Sequence, residues 1–388
     1  MRVAVIGGGI AGLSAAHELL RRGADPVVFE ACARAGGKVG TRNERGYLSE
    51  DGPNFLARPL DALLDASGLR PEVVTPRAPM TRWIHLDGRV LRAPGLSLLA
   101  RAGLGRALLE PLFGKPLRDD MPLGEFLERR LGRRAGGLAA TVMSAGVYAG
   151  DPALLSARDA FPSLGALAER GSLIVNAFRR PEAPRSGIWT LRRGLGTLAG
   201  ALVLALGGRV RLGARVGQLS PAQGGWSVQG ERFEGVVLAV PAAAAADLTH
   251  GFAPKFADAA RRFQSAPVTV VHLGLRQGGL PRGFGMIDAD GGARHPERAA
   301  LADGALVGAL MADLRATWGV RDAPEYVRVV RWEAAIPQYA PGHRQRVREA
   351  RELVADLPRL ELAGAAWDGV GVPDVARSGS EAAARLVQ

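Results

Sequence analysis

Met1-Arg2-Val3-Ala4-Val5-Ile6-Gly7-Gly8-Gly9-Ile10-Ala11-Gly12, continued by Leu13 to Arg22, Gly23 and Pro26-Val27-Val28-Phe29-Glu30, is the stretch whose reading decides the fold. The apolar run Arg2 to Ile6 predicts a strand, and Leu13 to Arg22 carries helical spacing. Between them lies a glycine loop. Gly7 permits a tight turn, Gly9 lets backbone approach a pyrophosphate, and Gly12 lets helix pack on strand, while the helix start offers N–H groups and a positive dipole end. Gly23 stops the helix, and Pro26 to Glu30 predicts a second, parallel strand. Glu30 ends that strand eighteen residues past Gly12, where a carboxylate accepts hydrogen bonds from an adenosine ribose. Strand, glycines, helix, strand and acid in this order predict a dinucleotide site. The glycines alone do not separate FAD from NAD.

The continuation Glu30-Ala31-Cys32-Ala33-Arg34-Ala35-Gly36-Gly37-Lys38 does separate them. An arginine four residues after the acid, then a glycine pair, resembles the second FAD motif of the amine oxidase and protoporphyrinogen oxidase group. FAD is therefore the expected cofactor.

Composition bounds the rest. A chain of 388 residues, 47% hydrophobic and 23% charged, can bury large cores in two or three subdomains. One cysteine, Cys32, excludes an internal disulfide framework and suits a reducing compartment. With no second cysteine to resolve it, its place in the FAD segment is read as incidental. The chain enters a strand at once and has no apolar run near ~20 residues, so neither a leader nor a spanning helix is expected. The expected location is cytoplasmic, or peripheral on the inner face of the membrane. A net charge of +12 favours anionic partners. Nucleic acid is not among them, because the arginines are dispersed, aromatic content is 5%, and no nucleic-acid module is visible.

Further along, Thr41 to Leu48 predicts a strand pair, and Gly52-Pro53-Asn54 a rigid turn. Leu60 to Leu69 predicts a helix, and Arg82 to Leu91 a hairpin turning at Asp87-Gly88. Pro94 to Pro116, with Leu96, Leu98, Leu99, Leu104, Leu108, Leu109, Leu112 and Phe113 among Arg101, Arg106 and Lys115, is a basic amphipathic stretch. Such a stretch either packs on its own protein or rests in a headgroup region. Leu123 to Leu131 is a second amphipathic helix. Asp151-Pro152 predicts a helix start. Arg209 to Val216, Trp226 to Phe233, Val236 to Val240, Val268 to Leu275, Tyr326 to Trp332 and Leu360 to Ala365 predict strands, and Leu306 to Trp318 a helix. Pro373 opens the last helix behind Gly369 and Gly371, giving a second glycine-entered positive helix end. No Ser/His/Asp grouping and no metal-ligand spacing stands out. His343 beside Pro341 and Gly342 reads as structural.

Several separate segments resemble the FAD-dependent protoporphyrinogen and coproporphyrinogen oxidases. They are the N-terminal region, Gly52 to Asn54, Gly146 to Pro152 with Leu155-Ser156, Phe161-Pro162, Gly171 to Ile174, Trp332 to Tyr339 with Gly342-His343, and Gly364 to Asp374. The resemblance implies an α/β chain: a Rossmann-like FAD domain (1–53, 194–247, 358–388), a discontinuous mixed-sheet substrate domain (54–93, 166–193, 248–357) and a helical subdomain (94–165). It implies FAD contacts at Gly7, Gly8, Gly9, Ile10, Ala11, Gly12, Glu30, Arg34, Gly37, Lys38, Gly52, Pro53, Asn54, Val216, Ala365, Trp367, Val370, Gly371 and Val372. Arg82 is implied to grip a substrate propionate, which favours protoporphyrinogen over coproporphyrinogen, and no protein side chain is implied as catalytic. The implied reaction takes six electrons from a porphyrinogen in three two-electron steps, with oxygen or another acceptor restoring the flavin. A homodimer is left open. Two departures stand out: the turn after Asn54 is one residue short, and Gly285 to Met311 has room for few of the family's strands. The latter raises a further alternative, a flavin- or porphyrin-binding homologue without turnover.

Overall fold

The computed structural model describes residues 1–58, 60–76, 81–93, 105–179, 187–276, 280, 283–290 and 296–388. Residues 94–104 of the basic amphipathic stretch lie outside them. The chain divides into two compact units, Met1–Thr75 with Ser186–Gln264 and Gln345–Gln388, and Pro76–Arg185 with Ser265–Arg344.

The first unit is built on the predicted strand–loop–helix–strand. Strands Arg2–Ile6, Asp25–Phe29, Val210–Arg211, Gly235–Leu238 and Leu360–Leu362 form one parallel sheet, in which Arg2–Ile6 is central between Gly235–Leu238 and Asp25–Phe29. Both faces are covered. Val3, Val5, Val28 and Val237 join a core with Leu13, Leu19, Leu198, Leu202 and Leu386. Their neighbours Ala4, Ile6, Val27, Phe29, Val236 and Leu238 join another with Trp226, Phe233, Phe256 and Trp367. A strand buried on both faces has no polar alternate positions, which is why these segments read as continuous apolar runs.

Four expectations are corrected, three of them in this unit or at its borders. Trp226 to Phe233 is a hairpin, Gly225–Val228 and Glu231–Phe233, not one strand. Gln229 and Gly230 turn it with φ of 52° and 81°, as two-residue hairpin turns require. Arg209 to Val216 yields only Val210–Arg211 as strand, because Gly213 (φ 65°) reverses the chain. The domain boundaries also move. Residues 54–75 belong with the nucleotide sheet, since Leu56, Leu64, Leu69, Trp189 and Leu191 are buried in its core and Val73–Val74 pairs with Thr190–Leu191.

In the second unit, Arg82–Leu86 pairs with Arg89–Ala93 and, in parallel, with Gly285–Asp288. Ser265–Gly274 and Tyr326–Pro337 form an antiparallel ribbon. The helices Leu123–Leu131, Arg133–Val147 and Asp303–Trp318 belong to this same unit, so residues 105–165 do not form a unit apart from these strands. No helix begins at Asp151-Pro152. Asp151 accepts the Ala153 N–H at 2.9 Å as an N-cap would, but the turn does not continue, because the Pro152 and Leu155 carbonyls accept Gly124 and Leu123 N–H and Ser156 N–H donates to the Tyr339 carbonyl.

Candidate functional site: a dinucleotide cradle

The cradle is assembled within the first unit from segments distant in sequence. A Cβ on Gly12 would lie 1.9 Å from the Gly7 carbonyl oxygen, so helix Ile10–Arg21 can begin this close to the turn only with glycine there. Gly9 is the opposite case. A Cβ on it would meet nothing within 4 Å, and as N-cap it offers no side-chain acceptor to the first-turn N–H groups. Those groups have no acceptor within the helix either. Open space above free donors at a positive helix end is the form of a phosphate site.

Glu30 closes the loop from the next strand. Its buried carboxylate accepts the Gly8 N–H on Oε2 and the Cys32 N–H on Oε1, each at 2.7 Å. A carboxylate can accept about four hydrogen bonds, so capacity remains for ribose hydroxyls. The segment after it folds back over the loop: Gly36 N–H donates to the Gly8 carbonyl at 2.7 Å, and Gly9 and Gly36 form a parallel bridge. Gly37 abuts Gly9, whose Cα would lie 3.2 Å from a Gly37 Cβ. Arg34 braces this loop by donating to the Gly37 carbonyl at 2.9 Å and to Asp51 Oδ2 at 2.5 Å. Gly52 packs on Lys38, whose carbonyl oxygen would lie 2.6 Å from a Gly52 Cβ. Burial holds the Lys38 ammonium below its ordinary pKa, with no carboxylate offsetting it among the described residues. Burial first, then the Glu30 carboxylate, pushes the Cys32 thiol up. Cys32 therefore lacks thiolate character at neutral pH.

The C-terminal segment meets the same place. Helix Val372–Leu386 crosses helix Ile10–Arg21 so closely that a Cβ on Gly379 would stand 2.0 Å from the Ala11 carbonyl oxygen. Gly364 N–H donates to Ser378 Oγ at 2.9 Å, and a Cβ on Gly364 would lie 3.8 Å from the Ala11 Cβ, so the chain enters Ala365 directly from the first helix's flank. Val370 and Gly371 lead into the helix with no side-chain cap at Gly371. Val216 follows the turn in which Ala214 N–H donates to the Glu30 carbonyl at 2.8 Å. Pro53 is half-buried and Asn54 exposed. The Trp367 indole is buried against Phe263, ring centroids 4.8 Å apart, which leaves its backbone towards the segment Val370–Val372.

Arg82 lies in the second unit at the start of its strand, exposed, with its guanidinium over the Phe284 ring at 5.4 Å. Among the described residues, His85, Asp288 and Asp290 bring ligand-type atoms within 4.8 Å of one another. Their hydrogen bonds account for them, since Asp290 accepts the Asp87 and Gly88 N–H groups of the hairpin turn at 2.6 and 2.8 Å.

Sequence reasoning missed four residues that hold the cradle together. Thr41 Oγ1 accepts Gly196 N–H at 2.8 Å and donates to Glu50, which accepts Leu195 N–H at 2.8 Å. Asp51 and Asp374 take Arg34 and Arg58. The one available signal was Glu50-Asp51, adjacent acids in an arginine-rich chain, directly before Gly52.

A parallel sheet with two glycine-entered helix starts and an acid on the second strand defines a dinucleotide-binding protein, and the comparisons narrow the class. The chain belongs to the family of flavin containing amine oxidoreductases, which it matches over residues 10–285 and 286–387. Its relatives place it in the protoporphyrinogen and coproporphyrinogen oxidase branch, and its cofactor is FAD. It is 31% identical to protoporphyrinogen oxidase of Bos taurus over 475 aligned positions, covering 99% of this chain and 98% of that one. It is 26% identical to coproporphyrinogen III oxidase of Bacillus subtilis (strain 168), covering 98% and 96%. A solved structure from Exiguobacterium sp. 255-15, provisionally named a protoporphyrinogen oxidase, superposes with a TM-score of 0.83 at 23% identity, covering 99% and 98%. An alignment of 475 positions against a chain of 388 residues means that internal stretches of the bovine relative have no counterpart here.

Proposed function

We propose that this flavin-dependent oxidoreductase oxidises protoporphyrinogen IX to protoporphyrin IX with oxygen as acceptor, at the inner face of the cytoplasmic membrane. The observation that carries the substrate choice is Arg82, exposed at the head of its strand, where the resemblance puts a propionate-binding arginine. A guanidinium fork suits a carboxylate on an otherwise apolar macrocycle. FAD, when bound, supplies the electron acceptor for the ring carbons. The chain's own residues bind and orient it. The N–H groups at Ile10, Ala11 and Gly12 and the Lys38 ammonium would hold the diphosphate, Glu30 the ribose, and the Gly371–Val372 helix start the electron-rich end of the ring. Exposed Leu108, Leu112 and Phe113, with exposed Lys115 and Arg118 following, favour contact with an anionic lipid surface.

A second reading, a flavin-binding homologue without turnover, is favoured by the internal shortening relative to the bovine protein. Anaerobic mixing of the FAD-loaded protein with protoporphyrinogen IX or coproporphyrinogen III decides among them. The expected outcome is bleaching of the flavin by protoporphyrinogen, with aerobic release of fluorescent porphyrin. Arg82→Ala is expected to raise KM about ten- to a hundredfold, the loss of one hydrogen-bonded charge, while FAD stays bound. Faster bleaching by coproporphyrinogen would reverse the substrate order. Porphyrin binding without any bleaching would establish the non-catalytic reading.

A further inference from the structure

Residues 51–58 run between two ion pairs. At the first end Arg34 Nη2 meets Asp51 Oδ2 at 2.5 Å, with the Asp51 side chain only 6% exposed. At the other, Arg58 Nη1 meets Asp374 Oδ1 at 2.6 Å, with Arg58 65% exposed. Between them Leu56 and Trp189 exchange backbone hydrogen bonds of 2.8 and 2.9 Å, and Trp189 Nε1 donates to the Arg58 carbonyl at 3.0 Å. The two pairs thus tie together three cofactor segments: Glu30–Lys38 through Arg34, Gly52–Asn54 through the run itself, and Val370–Val372 through Asp374. Asp374 lies against that last segment, since a Cβ on Gly369 would stand 2.7 Å from its own Cβ.

We propose that residues 51–58 are a strap whose latch, Arg58 to Asp374, governs how fast FAD leaves; the proposal rests on the FAD assignment of this unit. The ends of the strap are unequal. Both acids are buried, but Arg34 is 44% exposed and also donates to the Ala35 and Gly37 carbonyls, whereas Arg58 is 65% exposed, the more screened and weaker pair. The strap therefore opens at Arg58. Arg377, 3.7 Å from the same carboxylate, stays beside Asp374 while it is open. Arg58 acts as a positioning residue: it holds the strap and touches no reacting atom.

The test is release of FAD from the full-length holoprotein, followed by the rise in flavin fluorescence at low and high ionic strength. Arg58→Gln is expected to release FAD up to about fivefold faster at low salt, the worth of one exposed ion pair, with the difference vanishing at high salt. Arg58→Lys restores most of the retention. Asp374→Asn reproduces the acceleration, and the double variant adds nothing to either single one. Unchanged release from Arg58→Gln at low salt would sink the latch, as would an acceleration equal at both ionic strengths, which marks lost packing. A wild-type protein that retains no FAD would overturn the cofactor site and the latch with it.

Discussion

Lys38 carries its charge in a partly buried place. Burial is the sole cause of its lowered pKa, and among the described residues no carboxylate offsets it. A folded-state pKa below the ordinary 10.5 means that at neutral pH the ammonium opposes folding of the ligand-free chain. That opposition fades as pH rises from the lowered value towards 10.5. A diphosphate supplies a countercharge. Lys38→Met is therefore expected to weaken FAD binding about ten- to a hundredfold, while the ligand-free protein melts no lower than wild type. Fluorescence titration and a thermal melt of each form check the two halves. A lower melting temperature without FAD would show that the lysine serves packing alone. Gly7, Gly12 and Gly52 were legible because each meets a contact that only glycine permits, Gly9 because it leaves open space for a ligand, and glycine is visible in sequence. Asp374 was not, because its partner Arg58 lies 316 residues away. Thr41 and Glu50 were hidden likewise, 155 and 145 residues from the N–H groups they accept.

At the scale of elements, local signals worked where both neighbours of a segment are close in sequence and failed where a turn was written in backbone conformation. The hairpin Arg82–Ala93 was readable from Asp87-Gly88, whereas Gln229-Gly230 makes the same kind of turn with a less familiar first residue. One tie between elements has measurable weight. Glu110, buried on the short helix Glu110–Phe113, accepts Leu173 N–H at 2.9 Å and Ile174 N–H at 3.2 Å, takes the Ser172 hydroxyl, and pairs with buried Arg130 at 2.9 Å. It caps helix Leu173–Phe178 from outside. Burial pushes its carboxyl up, but these donors outweigh burial and hold it below its ordinary 4.5. A depressed carboxyl contributes stability above its unfolded pKa and loses it as pH falls through the folded value. Glu110→Ala is expected to destabilise the protein by about 3–5 kcal/mol at neutral pH, since Arg130, its side chain 9% exposed, loses its counter-charge and keeps the Gly171 and Lys115 carbonyls as acceptors. Denaturant titration at neutral pH and below pH 4.5 measures it. A gap between wild type and variant that does not narrow in acid would rule out the ionised cap.

At the scale of the whole chain, the family was legible because its motifs sit on segments the fold cannot relocate: the central strand, its glycine loop and the last helix. The division into units was less legible, because Leu56, Leu64 and Leu69 have core-type sequences that do not say which core they enter. The short helices Gly105–Leu108 and Glu110–Phe113 carry the remaining question of location. Leu108, Leu112 and Phe113 are 74%, 76% and 72% exposed, and large apolar side chains so displayed together mark a contact surface. Among the described residues no helix is long and apolar enough to cross a membrane, so the contact proposed is with a lipid surface. Burying a leucine and a phenylalanine is worth about 1.5–3 kcal/mol each, and basic side chains near an anionic surface add about 1 kcal/mol apiece. The double substitution Leu112→Asp with Phe113→Asp is thus expected to cut binding to phosphatidylglycerol vesicles by at least about a hundredfold. Wild-type binding should also fall with added salt and be weak on phosphatidylcholine. Cosedimentation equal for both proteins on both lipids would exclude a membrane role for this surface, and leave it to a protein partner.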